Sequence, residues 1–190
     1  MNFENLSGLL AEEIKDTLNH IELPYIPQEA AVLVPLCQTE KGHELLFTKR
    51  TETVATHKGQ ICFPGGVKDE TDQTLWETAL RETHEEIGMP PHQIKLIGEL
   101  GKVITPTGFR ITPFVASVGE LTSLSPNKHE IDTIFSVSMD HLTNPVNFHL
   151  EKKTYFDVTY DDPVFTFGAH KIWGATARIV VELLEKWNKL

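Results

Sequence analysis

Three glutamates crowd into the stretch LRETHEEIG, Leu80 to Gly88: Glu82, Glu85 and Glu86. On a helix, spacings of three and four put Glu82 on one face with the other two, where like charges repel by about a few tenths of a kcal/mol per pair. Side chains one turn apart have Cβ atoms roughly 5–6 Å apart, close enough to chelate one hard cation or to flank a pair. Oxygen-only ligands favour Mg²⁺ or Mn²⁺ over zinc. The competing reading is an acidic helix surface dispersed in water, with no chemical task.

The surrounding residues predict how these acids are held. Thr74 and Glu77 have the spacing of a capping box, and Gly88 followed by Pro90 and Pro91 supplies a stop, so a helix fits between them. At about 100° per residue, Trp76, Ala79, Leu80, Thr83 and Ile87 form its apolar stripe, and the glutamates fall on a different sector with Arg81 to one side. Upstream, ICFPGG reads as a short strand ending in a Gly65-Gly66 corner, where glycine lets backbone groups approach a ligand closely. AAVLVPLC and HELLFTKR read as strands joined by a tight turn, and IKLIGEL, GKVI, FRITPFVASV, TIFSVSM and KTYFDVTY as further strands. Apolar spacing predicts an amphipathic helix over about residues 3–19, and another in the closing GATARIVVELLEKWNKL. Strands on both sides of a central helix, with no repeat or linker, indicate one mixed α/β domain over residues 1–190.

Composition narrows the partners. The 190 residues carry a formal net charge of −10, and no basic stripe offsets it, which argues against a nucleic-acid binder. An anionic small substrate stays open, because a bound divalent cation reverses the local field. The two cysteines, Cys37 and Cys62, form no metal-spaced pair and no disulfide framework, which points to a reducing compartment. The acidic opening residues resemble neither a signal nor a transit peptide, and no apolar run is long enough to span a membrane. The final Asn-Lys-Leu differs by one residue from a peroxisomal Ser-Lys-Leu ending, so the expectation is a cytoplasmic protein with no membrane partner.

The run from Gly66 to Met89, GVKDETDQTLWETALRETHEEIGM, resembles the Nudix box, G-x5-E-x7-R-E-U-x-E-E-x-G-U, with U a bulky apolar residue. Arg81, Glu82, Glu85, Glu86, Gly88 and Met89 match it, and Thr83 is a weaker fit at the first apolar position. Gly66 lies one residue further from Arg81 than the pattern has it, and Asp72 stands where the earlier glutamate is counted from Gly66. The resemblance implies the Nudix fold, an α/β/α sandwich around a mixed sheet with the catalytic helix after a Gly-Gly loop. It also implies hydrolysis of a nucleoside diphosphate linked to another group. Glu82 and Glu86 would then ligate Mg²⁺ or Mn²⁺, with Glu85 a further ligand or proton acceptor. Arg81 would orient the carboxylates by ion pairing, a surface partner for a nearby acid being the plainer role. Glu130 is the better downstream candidate for a ligand or base and Glu99 the weaker; a solvated loop glutamate is the alternative for Glu130.

A second stretch, LFTKRTETVATHKGQICFPGG, is similar to a signature of coenzyme A pyrophosphatases in the same superfamily, L-L-T-x-R-[SA]-x3-R-x3-G-x3-F-P-G-G. Leu46, Thr48, Arg50, Gly59, Phe63, Pro64, Gly65 and Gly66 match, Phe47 and Thr51 are mild replacements, and Ala55 replaces an arginine. His57 and Lys58 are the neighbouring candidates for the missing charge. This likeness implies cleavage of coenzyme A to 4′-phosphopantetheine and adenosine 3′,5′-bisphosphate, with Arg50, Gly65 and Gly66 at the substrate. ADP-ribose or another nucleoside diphosphate derivative is the alternative substrate. A nucleotide sensor that does not cleave is the alternative class, disfavoured because all three box glutamates are present. An RNA-decapping role lacks a basic RNA-tracking segment. His84 reads as surface and His170 as structural or at the substrate's edge. Phe165, Phe167 and Trp173 are aromatic residues that either stack an adenine or belong to the core.

Overall fold

The computed structural model describes Leu10 and residues 25–53, 58–119, 121, 124–155 and 158–189. The helix expected over residues 3–19 lies outside them except at Leu10, which is helical, buried and packed against Gly98.

Strands β1 (Gln28–Thr39) and β2 (Gly42–Arg50) form the predicted hairpin, with Thr39 opposite Gly42 and Leu36 opposite Leu45. A large mixed sheet grows from them. β3 (Ile61–Cys62) and β8 (Ile131–Ser138) pair with β2, and β4 (Gly65–Val67) pairs antiparallel with the first half of β1. β5 (Ile94–Glu99) and β6 (Val103–Ile104) pair with β7 (Phe109–Val118), which runs parallel to β1. Alternation along these strands separates two cores. Leu33, Cys37, Leu46 and Ala116 face helix α1 (Leu75–Ile87), whose Ile87 packs among them. Val34, Leu36, Leu45, Phe47 and Val115 face the terminal helix α3 (Gly174–Trp187), which contributes Ala177, Ile179, Val180 and Leu183. Helices on both faces of a mixed sheet are the α/β/α layering expected.

Between these elements lie a short helix α2 (Met139–Thr143) and a second sheet of β9 (Phe148–Tyr155), β10 (Val158–Phe167) and β11 (His170–Trp173), all antiparallel. This region departs from the sequence reading. The single strand expected at KTYFDVTY is the end of β9 and the start of β10, with Tyr155 opposite Val158. The apolar alternation of that sequence runs on from one strand to the other, so periodicity alone joins two strands into one. Asp161-Asp162-Pro163 carries turn-type residues yet lies inside β10, where Arg178 of α3 ion-pairs with Asp162.

Candidate active site

Helix α1 begins and ends where its caps dictate. Thr74 Oγ1 accepts the Glu77 N–H at 3.2 Å, which satisfies a donor the first turn leaves free, and Glu77 Oε2 reaches back to accept the Gln73 N–H just ahead of the cap at 2.7 Å. Gly88 closes the helix at φ 71°, its N–H bonded to the His84 carbonyl at 2.9 Å. The next carbonyls, of Glu86 and Ile87, accept the N–H groups of Asn127 and Ser125, both at 2.9 Å. That loop thereby docks on the helix end and carries Glu130 toward the acids.

The carboxylates do not form an open acidic surface. Glu86 is 2% exposed and turned toward the Gly-Gly corner, where its Oε2 accepts the Gly65 N–H at 3.2 Å and its Oε1 meets Arg50 Nη1 at 3.2 Å. Glu82 lies against Gly66 so closely that a Cβ there would run into its carboxylate. Gly65 is required for a different reason: with φ at 153°, an added Cβ would fall 2.6 Å from Val32 Cα on β1. Only Glu85 is open to solvent, its side chain 57% exposed. Glu86 therefore shares the inward side of the helix with Thr83 and Ile87 rather than a solvent sector apart from the core. The tight turn before β4 brings strand backbone to it in place of water.

Arg81 ties this arrangement together. Its Nε and Nη2 reach Asp72 Oδ1 and Oδ2 at 3.1 and 2.9 Å, and Nη2 also reaches the Val67 carbonyl at 3.2 Å. Nη1 reaches Glu82 Oε1 at 2.8 Å and Glu85 Oε2 at 3.2 Å. Asp72 is buried and accepts two more bonds at 2.9 Å, from Thr78 Oγ1 and the Asp69 N–H. The Arg81 guanidinium holds the Asp72 carboxyl well below the usual carboxylate range. The extra residue between Gly66 and Arg81 thus costs nothing at the arginine: Asp72, counted from the glycine, grips it.

Electrostatics at the acids run the other way. Burial raises the pKa of Glu82, with the charges of Glu85 and Glu130 adding to it against the pull of Arg81. Burial also pushes Glu86 up to about 7, with Glu82 and Glu130 adding and the Gly65 N–H and Arg50 opposing. Among the described residues, no three acidic, histidine or cysteine side chains form a ready-made cation cage. The chemistry nevertheless fits a hard divalent ion. The donors are all oxygen and their negative charges are buried and mutually repelling, the condition such an ion relieves. Mg²⁺ in particular is bound by one or two carboxylates and takes its remaining ligands from water and substrate phosphate.

A cavity of about 370 Å³ opens beside this cluster, lined at its near end by Arg50, Cys62, Gly65 and Gly66. Both cysteine thiols are free, and burial pushes Cys62 up to about 11, so it lines the cavity as an inert thiol. Arg50 carries a buried Nε with no partner. Trp173 is the one residue of the three aromatic candidates that lines the cavity; Phe165 is core, and Phe167 stacks on Phe135 at 5.9 Å. His170 also stacks on Phe135, at 4.7 Å, and His84 is exposed. Glu99 ends β5 opposite Phe114, its side chain making no hydrogen bond or ion pair among the described residues. Ala55 and His57 lie outside the described residues, and Lys58 is exposed and does not line the cavity. Sequence reasoning missed Asp162 and Arg178, which line the cavity's far end. They meet across a strand and a helix, a pairing with no spacing signal.

Known proteins resemble this arrangement at several levels. The mitochondrial coenzyme A diphosphatase NUDT8 of Mus musculus is 41% identical over 166 residues, covering 84% of this chain and 78% of that protein. The uncharacterized Nudix hydrolase NudL of Pectobacterium atrosepticum is 34% identical over 159 residues, covering 82% of this chain and 81% of its own. Among solved structures, the MutT/nudix family protein of Enterococcus faecalis superposes with a TM-score of 0.58 at 18% identity, over 89% of this chain and 66% of that one. That likeness is one of fold. No helix among the described residues is long and apolar enough to cross a membrane. The family model for the NUDIX domain matches residues 27–159, which hold the Gly-Gly corner, the acidic helix and Glu130, and the chain belongs to the Nudix hydrolases.

Proposed function

We propose that the chain hydrolyses coenzyme A or its derivatives at the diphosphate, giving 4′-phosphopantetheine and adenosine 3′,5′-bisphosphate, with Mg²⁺ or Mn²⁺ as cofactor. The observation that carries this reading is the Arg50–Glu86 ion pair. It joins a residue of the second signature to an acid of the box at the mouth of a cavity that Phe63, Gly65 and Gly66 also line. The 41% identity to a coenzyme A diphosphatase supports the same substrate.

Glu82 and Glu86 would hold the cation, with Glu85 as a further ligand once Arg81 yields it. When bound, a divalent ion neutralises phosphoryl charge and makes a bound water a better nucleophile. The side chains supply the rest. Arg81, fixed by Asp72, keeps Glu82 and Glu85 oriented. Arg50 balances charge at Glu86 and offers guanidinium donors to a phosphate. Gly65 and Gly66 let the backbone and Glu82 close on the reacting group. Glu130 takes the proton of the attacking water: its Oε1 is held by Asn127 Nδ2 at 3.1 Å, and Oε2 has no hydrogen bond among the described residues. Glu85 is the poorer acceptor because Arg81 bonds its Oε2. Water oxygen joins phosphorus, its proton passes to Glu130, and the bridging P–O bond breaks with its electrons on the departing phosphate.

We read residues 1–190 as one catalytic domain acting on a small nucleotide substrate. The free thiols at Cys37 and Cys62 support a reducing compartment, and the cytoplasm is the proposed one. The test incubates the protein with coenzyme A, ADP-ribose and dinucleoside polyphosphates, each with Mg²⁺ or Mn²⁺, and separates the products. Coenzyme A should give the two named products at the highest kcat/KM. Preference for ADP-ribose would overturn the substrate, and tight binding with no product would point to a sensor.

A further inference from the structure

The cavity beside the acids is built for an uncharged guest. Its wall is mainly apolar and includes the branched aliphatic side chains of Val32, Ile61, Ile111 and Ile179. Two guanidinium groups line it, and both are already ion-paired: Arg50 with Glu86 at 3.2 Å, and Arg178 with Asp162 at 2.7 Å. A phosphate monoester seated at its far end would bring roughly two negative charges at pH 7 beside the buried Asp162 carboxylate, where Arg178 is already engaged.

Besides Arg50 Nε, the wall holds a second polar atom to which no hydrogen bond is made among the described residues. Asp162 is 2% exposed, and both bonds from Arg178, from Nε at 3.0 Å and Nη2 at 2.7 Å, land on its Oδ1. Tyr160 accepts the other bond of Nη2 at 2.9 Å and lies under the guanidinium at 5.1 Å, so Arg178 is held in place. Asp162 Oδ2 takes no hydrogen bond among the described residues, and a buried carboxylate oxygen facing a cavity calls for an N–H or O–H donor on whatever fills it.

We propose that this cavity seats the pantetheine arm of the substrate and that Asp162 Oδ2 accepts a hydrogen bond from it, the adenosine bisphosphate half staying outside. The inference rests on the coenzyme A reading above. The arm is neutral, its geminal methyls suit branched aliphatic side chains, and its two amides and one hydroxyl supply donors. An adenine ring also has a donor, but ring faces here are partly spent: Phe63 stacks on Phe47 at 4.8 Å, and the Lys153 ammonium covers Trp173 at 5.4 Å. Adenosine diphosphate is moreover common to coenzyme A and ADP-ribose, which leaves the 3′-phosphate and the pantetheine arm as the parts that differ, and of these the arm is the uncharged one that a mainly apolar wall suits.

The test labels the isoleucine methyls of the full-length wild-type protein and follows Ile61, Ile111 and Ile179, with the Trp173 indole N–H, by NMR. Millimolar pantetheine should shift these signals, and adenosine 3′,5′-bisphosphate should leave them in place. Shifts from the bisphosphate instead, or from neither compound, would overturn the proposal. Kinetics give a second readout: Ala175→Leu, which narrows the cavity from α3, should raise KM for coenzyme A about tenfold with kcat held within about threefold. An unchanged KM in a variant that melts like the wild type would count against it. Cleavage of coenzyme A with the bisphosphate in the cavity would sink this inference alone, whereas no cleavage of coenzyme A would sink the substrate reading.

Discussion

Removing the charge of Glu86 should stabilise the metal-free protein at alkaline pH while abolishing its activity. The folded carboxyl has its pKa pushed from 4.5 up to about 7, chiefly by burial, so it binds a proton more tightly than the unfolded chain does. Between those two values the folded state carries the extra proton, and stability falls as pH rises through that window, with the whole penalty present above about 7. At 1.36 kcal/mol per unit, the shift amounts to about 3 kcal/mol. Glu86→Gln keeps the size of the side chain and an oxygen that can accept from the Gly65 N–H, but it cannot be ionised. The assay is urea unfolding in EDTA at pH 5 and pH 8 for both proteins. Because pH 5 already lies above 4.5, the wild type should lose about 2.5 kcal/mol more than the variant between those conditions, a difference in which titrations common to both cancel. Added Mn²⁺ at pH 8 should restore the wild type and affect the variant less. Identical pH dependence in the two proteins would refute the reasoning, since Glu86 would then be ionised in the fold at no cost.

Asp72→Asn leaves Arg81 without its buried partner and should cost about 2–3 kcal/mol in denaturant unfolding. The same change should lower kcat/KM at least about tenfold through loss of orientation at Glu82 and Glu85; unaltered kinetics would deny Arg81 its organising role. Thr83 Oγ1 is buried with no partner, so Thr83→Val, which restores the apolar residue of the box, should raise stability by about 1 kcal/mol in the same assay. Glu130→Gln should lower kcat about a hundredfold with the melting temperature preserved, and near-wild-type kcat with undiminished metal dependence would remove it from the reaction.

The parts of the fold legible in the sequence are those fixed by local rules. Thr74, Glu77 and Gly88 announce the ends of α1, and alternation in AAVLVPLC and HELLFTKR marks β1 and β2 with their two buried faces. The second sheet is hardly legible, because β9 carries Glu151, Lys152 and Lys153 in succession and β10 holds the turn-type run Asp161-Asp162-Pro163 in its middle. At the site, residue types and spacing singled out Glu82, Glu85, Glu86 and Arg81, but they did not say which acid is buried. A helical wheel sees only the helix, and the exposure of Glu86 is decided by β4, whose Gly65 lies 21 positions upstream.

That dependence explains why the site lies at this point of the sheet. Along one edge β1 pairs with β4 at Ala30–Val32 and then with β2 at Leu36–Thr39. At the change of partner, the Leu33 N–H bonds the Pro64 carbonyl at 2.9 Å, and the chain turns sharply at Gly65. The Gly65 N–H is therefore free of the β1 ladder and points to Glu86. β2, on the other side of the same break, ends in Arg50, which reaches the other carboxylate oxygen of Glu86. One interruption in strand pairing thus supplies a backbone donor and a guanidinium to a single buried carboxylate. Those two contacts let an ionisable group sit where burial alone would keep it protonated, and a phosphate that competes for Arg50 would push Glu86 back toward neutrality unless a cation arrives with it.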